Sequence, residues 1–268
     1  MENVQTAARR ARNLPAQRQT GVIRSEDGLA VSEAVYWEKY YEYCGASDFN
    51  YEWKNGYLEE KPESDYRSDV MIQWFIRMLQ RFLEAHQIGK LITLDIGFRV
   101  ALPGETSIRK PDYADVLHTN PVELRSDDRS FSGIYDLCIE LFSDATTKDI
   151  RRDTVEKKRE YAAAGVQEYY ILDARDNETA FYRRHQPGGY DVIVPQHGEI
   201  MRSSVLPGFQ FRVSDLYRQP PLEDMAEDPV YSGFVLPYYQ AERQRAQQER
   251  QRAERLAAQL RSLGISPD

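Results

Sequence analysis

Apolar and polar residues alternate along the chain in patterns that predict a series of helices and strands. Residues 64–87 keep a hydrophobic period of 3.6, which predicts a long helix with one face in the core. Residues 31–44 predict a shorter helix with Ser32 as its N-cap. Residues 51–60 predict a hairpin, because Asn55-Gly56 favours a tight turn between aromatic flanks.

The middle of the chain predicts a mixed sheet. Residues 134–142 and 166–172 are apolar and β-prone, and residues 150–164 between them have helical character that ends at Gly165. Further strands are predicted at residues 91–100, 110–117, 179–184, 190–195 and 205–216, with ALPGETSI as a polar turn after the first of these and a charged loop at 120–132. This order predicts an α/β or α+β core, a mixed β-sheet flanked by helices.

Three segments lie outside this core. Residues 1–28 form a basic arm, which we expect to be flexible, and residues 218–237 form an acidic and then aromatic linker. Residues 238–268 predict an extended C-terminal helix. Its thin heptad-like seam would suit a short antiparallel or dimeric coiled coil.

Composition narrows the function classes. Hydrophobic residues make up 41% of the chain, and no apolar run approaches the roughly 20 residues that cross a bilayer. The N-terminus lacks the apolar core of a secretory signal, and Cys44 and Cys138 suggest no disulfide framework, so we expect a cytoplasmic protein. A net charge of −8 argues against a protein that coats DNA without sequence preference. It is compatible with a nuclease, in which acidic groups hold a metal.

Two acidic residues lie in or beside predicted strands. Glu140 stands in the middle of an apolar strand, where a carboxylate costs several kcal/mol unless it is paired or binds a metal. The alternative for Glu140 is an ion pair with Arg99 or Arg109. Asp112 follows Pro111 at the start of another strand, and its alternative is a turn cap.

The helix after Glu140 carries a polar stripe. Asp153, Lys157 and Tyr161 follow at i, i+4 and i+8, so they share one face. A solvated Asp153–Lys157 ion pair is the alternative. Two carboxylates on adjacent strands can hold one hard cation such as Mg²⁺, and a nearby lysine can stabilise transition-state charge during phosphodiester hydrolysis.

These residues resemble the Uma-two family of restriction-endonuclease-like proteins, in the PD-(D/E)XK nuclease superfamily. The resemblance covers roughly residues 31–216 and rests on the turn EWKNG, the PD pair, the strand IELFS, the helix DTVEKKREYAAAGV and the strand QEYYILD. The tail LRSLGISPD also resembles the end of family members. The resemblance implies a restriction-endonuclease-like core in a nuclease domain at 29–217.

The resemblance also implies roles for individual residues. Asp112 and Glu140 are expected to bind Mg²⁺ or Mn²⁺, and Lys157 is expected to be the catalytic lysine, displaced onto the helix because Phe142 occupies the position two after Glu140. Glu52 matches a family glutamate and is expected to be an outer-shell or metal-side acid. Asp153 and Tyr161 are expected to orient Lys157.

The expected function is therefore that of a metal-dependent DNA endonuclease, acting as a homodimer so that two sites address two strands. A metal-dependent nuclease that acts on RNA or branched DNA would use the same site, so the sequence does not separate these substrates. The alternative is a degenerate nuclease fold that only binds nucleic acid or a protein partner. The first function requires that Asp112, Glu140 and Lys157 converge, with both carboxyl groups on one face of the sheet.

Overall fold

The computed structural model describes residues 24–41, 49–93, 96–142, 146–185, 188–197 and 199–262, apart from the side chains of residues 239 and 240. Most of the predicted basic arm, Cys44 and the last six residues therefore lie outside the described residues. Two sheets and a short ribbon, with helices against them, make up the described chain. The fold is thus the mixed α+β architecture that the sequence predicts.

The larger sheet has six strands in the order β10-β9-β8-β7-β6-β3. Its strands are β3 (Gly89–Thr93), β6 (Tyr113–Leu117), β7 (Leu137–Phe142), β8 (Glu168–Asp173), β9 (Ala180–His185) and β10 (Gly189–Val192). β7 and β8 are parallel and all other neighbours are antiparallel. A parallel pair needs a crossover connection, which the helical residues between β7 and β8 provide.

The smaller sheet is antiparallel, in the order β2-β1-β5-β4. Its strands are β1 (Tyr51–Lys54), β2 (Tyr57–Glu60), β4 (Phe98–Leu102) and β5 (Glu105–Arg109). The β1–β2 hairpin is confirmed. Its turn residues Asn55 and Gly56 have φ of 48° and 95°, the left-handed pair that such a two-residue turn requires.

Helices cover both faces of the six-stranded sheet. The helices are α1 (Glu33–Lys39), α2 (Tyr66–His86), α3 (Thr147–Arg151), a π-helical segment (Arg152–Lys157), α4 (Lys158–Ala164), α5 (Asp215–Arg218), α6 (Leu222–Glu227) and α7 (Pro237–Ser262). The predicted helix N-cap at Ser32 is confirmed, since its side chain accepts the N–H of Val35. α2 packs against Leu137 and Ile139 on one face of β7, whereas Cys138 lies in a second core with Tyr161 on the opposite face.

Three sequence predictions about strands are wrong. Residues 91–100 do not form one strand, because β3 and β4 belong to different sheets. The predicted turn ALPGETSI contains the end of β4 and the start of β5, which are joined at Pro103-Gly104. Residues 205–216 do not extend the main sheet, because β12 (Gln210–Arg212) pairs only with β11 (Ile200–Arg202) among the described strands.

The segment expected to be a linker packs against the core. Met225, Tyr231 and Phe234 are buried in the cluster that includes α2. α7 that follows is helical as predicted, and its described side chains are exposed apart from two that are partly buried, Ala257 and Leu260. No helix within the described ranges has both the length and the apolar character that crossing a membrane demands.

Candidate active site

The predicted site residues lie where the two sheets join. β5 ends at Arg109 and β6 begins at Tyr113, so the short link between them carries Asp112 from the smaller sheet to the larger one. β6 pairs with β7 through Tyr113↔Ile139 and Ala114↔Cys138. Continuing this antiparallel register by one residue places Asp112 opposite Glu140, and both then share a face with Ala114 and Cys138. The two acids therefore do not point to opposite faces of the sheet.

Asp112 is held through both carboxylate oxygens. Oδ2 accepts the backbone N–H of Leu141 at 2.8 Å, which ties Asp112 to the strand of Glu140. Oδ1 lies 2.9 Å from the Lys61 ammonium. Asp112 is thus a strand-bridging side chain and is not a cap of its own turn.

Glu140 is paired with a lysine, so the suggested ion pair with Arg99 or Arg109 is wrong. Glu140 Oε1 lies 3.0 Å from Lys157 Nζ and accepts the Tyr161 hydroxyl at 2.9 Å. Tyr161 was expected to orient Lys157, but its hydroxyl contacts Glu140 instead. The position of Glu140 is therefore fixed by two groups from the helical crossover.

Lys157 is the centre of the buried cluster. Besides Glu140, its Nζ lies 3.2 Å from Glu52 Oε1 and 3.2 Å from Asp153 Oδ1. Its side chain is 1% exposed, so the predicted alternative of a solvated pair with Asp153 is wrong. A buried ammonium facing three carboxylates is firmly positioned and has a strong local field.

The π-helical segment places this lysine. It carries Asp153 and Lys157 on wider turns than an α-helix has, although the sequence predicts one uninterrupted α-helix here. π-helical turns are rare and recur at functional sites. Arg152 at its start donates to the Glu60 carbonyl at 2.8 Å, which fastens the crossover to the end of β2.

Glu52 belongs to a second, structural set of charges. Its Oε1 accepts the Lys110 N–H at 2.7 Å, and its Oε2 accepts from Arg109 at 3.0 Å. Arg109 is fully buried and also contacts Glu160 and Glu59. Both Glu52 oxygens are thus already bonded, and Glu52 Oε1 also helps to hold the Lys157 ammonium in place.

Burial and oppositely charged neighbours shift the pKa values of this cluster in opposite directions. Burial raises the pKa of Glu140 to about 8, although Lys157 opposes the shift, and Asp112 raises the pKa further. Burial also raises the pKa of Asp153. Burial alone would raise the pKa of Glu52, but Lys157 and Arg109 hold it well below its ordinary value. Burial alone would lower the pKa of Lys157, and the surrounding carboxylates raise it instead.

The donor set suits a hard cation that keeps most of its water. Asp112 in the link before β6 and Glu140 on β7 offer carboxylate oxygens, and Mg²⁺ is commonly bound through one or two carboxylates with water and phosphate as its other ligands. Within the described residues, no group of three or more His, Cys, Asp or Glu side chains is arranged to hold a metal. Asp112 and Glu140 would therefore be the protein ligands of such an ion, and the described residues form no cage of protein ligands around it.

The family model described as "Uma2: Putative restriction endonuclease" matches residues 37–214. The chain belongs to the Uma2 family. The match spans both sheets and the helical crossover, and thus all six predicted site residues. No curated protein is significantly similar to this Uma2 chain.

A solved structure supports the fold of this Uma2 protein. The chain is similar to the crystal structure of a "putative nuclease belonging to DUF820" from Anabaena variabilis, with a TM-score of 0.52 and 16% identity. The alignment covers 65% of this chain and 92% of that one. At this identity the likeness shows a nuclease-like fold and leaves the roles of individual residues open.

Sequence reasoning missed Lys61 as a member of the site and assigned Arg109 the wrong partner. Lys61 follows β2 directly, and its contact with Asp112 spans 51 positions in sequence. Arg109 was suggested as a partner of Glu140, whereas it contacts Glu52, Glu59 and Glu160. Both roles arise from how the smaller sheet docks on the larger one, which no local pattern indicates.

Proposed function

We propose that this Uma2 protein is a metal-dependent DNA endonuclease that hydrolyses phosphodiester bonds. The observation that carries the proposal is that Asp112 accepts the Leu141 N–H at 2.8 Å, directly beside Glu140 on β7, and that Lys157 Nζ lies 3.0 Å from Glu140. Asp112 and Glu140 would hold Mg²⁺ or Mn²⁺. Such an ion, when bound, lowers the pKa of its water and neutralises phosphate charge.

The residues around the two acids have separate tasks in this proposal. Lys157 has three N–H donors and three carboxylate neighbours, and Asp153 and Glu52 suffice to hold its amine. The donor that faces Glu140 is the one that can turn to a phosphate oxygen and stabilise charge in the transition state. Tyr161 fixes the Glu140 carboxylate through its hydroxyl.

The test is cleavage of supercoiled plasmid with Mg²⁺, Mn²⁺ or a chelator. Wild-type protein should nick plasmid only when a metal is present, and Asp112→Asn and Lys157→Met should each lower the rate by roughly 10²–10³-fold. Asp127→Asn and Lys158→Met are the matched controls, because Asp127 is exposed and Lys158 lies over the Tyr182 ring. Cleavage that survives both site substitutions would reject the assignment.

The substrate and the oligomeric state are separate parts of the proposal. We propose a homodimer, so that two sites act on the two strands of a duplex. Duplex DNA, single-stranded DNA and RNA should be compared in the same assay, with preference for duplex DNA expected. Sedimentation at equilibrium should give twice the chain mass, and a monomer that cuts both strands at once would contradict the dimer.

We place this activity in the cytoplasm, where the buried thiol of Cys138 would stay reduced.

One observation favours a second function, a degenerate nuclease fold that only binds nucleic acid or a protein. Glu52, Asp112, Glu140 and Asp153 each already have a protein cation within 3.6 Å. Wild-type protein that binds duplex DNA but cleaves nothing with either metal would select this second function.

A further inference from the structure

Lys61 is a buried cation that neither the family resemblance nor the proposed mechanism uses. Its ammonium lies 2.9 Å from Asp112 Oδ1 and also donates to the carbonyl of Lys110. Its backbone N–H donates to the Asn50 carbonyl at 2.8 Å, which extends the β1–β2 hairpin by one residue pair. The lysine is therefore positioned by the smaller sheet and aimed at an acid that leads into the larger one.

The Lys61–Asp112 pair is the most accessible charged contact of the described site. The side chains of Lys61 and Asp112 are 8% and 19% exposed. Those of Glu52, Glu140 and Lys157 are at most 2% exposed. An ion arriving from solvent would consequently reach Asp112 before it reaches the inner carboxylates.

A divalent ion on Asp112 would lie close to the Lys61 ammonium. Two cations at one carboxylate repel each other strongly where little water screens them. The ammonium also donates to the Lys110 carbonyl, a contact that does not depend on Asp112.

We propose that Lys61 is an internal counter-ion that competes with a divalent cation for the Asp112 carboxylate. The lysine and the cation exclude each other at Asp112, so that loading the site separates the ammonium from that carboxylate. Lys61 thereby sets the metal concentration at which the site fills. The inference rests on the proposed function, because it requires that Asp112 bind a metal.

The experiment is calorimetric titration of Mn²⁺ into the 268-residue chain and its variants. Lys61→Met should bind Mn²⁺ at least roughly tenfold more tightly than wild type, because a like charge has been removed from the site. Lys61→Arg keeps the charge and should stay within about threefold of wild type. Lys90→Met is the matched control for loss of one positive charge, since Lys90 donates to the Leu124 carbonyl on another edge of the sheet.

The outcomes separate the inference from the proposed function. Equal or weaker Mn²⁺ binding by Lys61→Met than by wild type would overturn the inference and leave the nuclease proposal standing. Lys61→Arg binding as tightly as Lys61→Met would also overturn it, because charge would then not be the cause. Mn²⁺ binding that is absent from every variant, or unchanged in Asp112→Asn, would reject the metal site itself. If Lys61→Met does not fold, Lys61→Gln makes the same comparison.

Discussion

Arg109 shows how a single residue joins the smaller sheet to the helical crossover. It is fully buried, and it contacts Glu52 and Glu59 of the β1–β2 hairpin and Glu160 of α4. Ser107 on the same strand donates to Glu160 at 2.8 Å and strengthens this join. This network stabilises the elements that carry the site residues, so its loss should destabilise the whole fold.

Replacing Arg109 should destabilise the protein far more than replacing an exposed arginine on the paired strand. Arg109→Leu removes one cation from three carboxylates, two of them fully buried, and should lower the free energy of unfolding by about 3–5 kcal/mol. Arg99→Leu is the control, because Arg99 is 47% exposed, pairs with Glu33 and should cost less than about 1 kcal/mol. Urea unfolding of both variants measures the difference, and similar values for the two would contradict the buried network.

Asp115 is a buried acid outside the proposed site. Both of its carboxylate oxygens are buried without a hydrogen-bond partner in the described part of the chain. Burial raises the pKa of Asp115 to about 8, and Asp136 adds to the effect. Its neighbour Gly89 has no room for a side chain, because a Cβ there would lie 2.7 Å from Asp115 Oδ1.

The raised pKa of Asp115 predicts a pH dependence of stability with a definite sign. Between about pH 4 and 8 the folded protein keeps a proton that the unfolded chain has released, so this contribution falls as pH rises and levels off above pH 8. Asp115→Asn should remove a loss on the order of 5 kcal/mol across that window. Chemical denaturation at pH 5, 7 and 9 tests it with Asp127→Asn as the exposed control. Parallel pH curves for wild type and Asp115→Asn would contradict the shift.

The π-helical segment is the element that links fold and site. It spans six residues and carries Asp153 and Lys157, while Val155 within it is 57% exposed. Removing one residue from such a segment lets the helix return to the α form, and a deletion rotates the flanking residues by about 100° relative to each other. Asp153 and Lys157 would then no longer face the same acids.

Deleting Val155 should therefore abolish cleavage and keep most of the secondary structure. We expect at least a roughly 10²-fold lower nicking rate, with a circular dichroism spectrum close to wild type. Val155→Ala is the control, because it shortens an exposed side chain without changing the helical register. A deletion variant that cleaves like wild type would show that the wider turns do not position Lys157.

Elements that depend on residues close together in the sequence were predictable. Features that depend on how the strands and sheets pack against each other were not. The Asn55-Gly56 turn and the stripe of α2 are set by neighbours within one or two turns of chain, so their patterns sufficed. β3 and β4 follow each other closely, yet they join different sheets, and a strand pattern does not say which partner it pairs with. Glu140 was proposed as a metal ligand because a carboxylate is unusual in an apolar strand, and Asp112 because of its PD pair and the family resemblance. Lys61 was missed because its partner is distant in sequence.

The described part of the molecule consists of a packed body and one exposed helix, α7. Phe234 at the end of the body is 3% exposed, whereas α7, which begins three residues later, is exposed along most of its length. α7 contacts the body through α6, where Arg243 pairs with Glu227 on the surface. Surface pairs of this kind contribute little to stability.

Truncation after Leu236 should therefore leave the body stable. We expect a Tm within about 2 °C of the full-length protein by differential scanning calorimetry. Phe234→Ala in the full-length chain is the contrast, and it should cost about 3–5 kcal/mol because it empties a buried site. A drop of more than about 5 °C on truncation would show that α7 belongs to the cooperative unit.

The central claim is that Asp112 and Glu140 together hold a divalent ion beside Lys157. Anomalous scattering from crystals grown with Mn²⁺ tests it most directly. We predict one strong peak within coordination distance of both carboxylates, about 2.0–2.3 Å, which disappears in Asp112→Asn crystals. A peak elsewhere in a protein that still cleaves DNA, or no peak at saturating Mn²⁺, would contradict the claim.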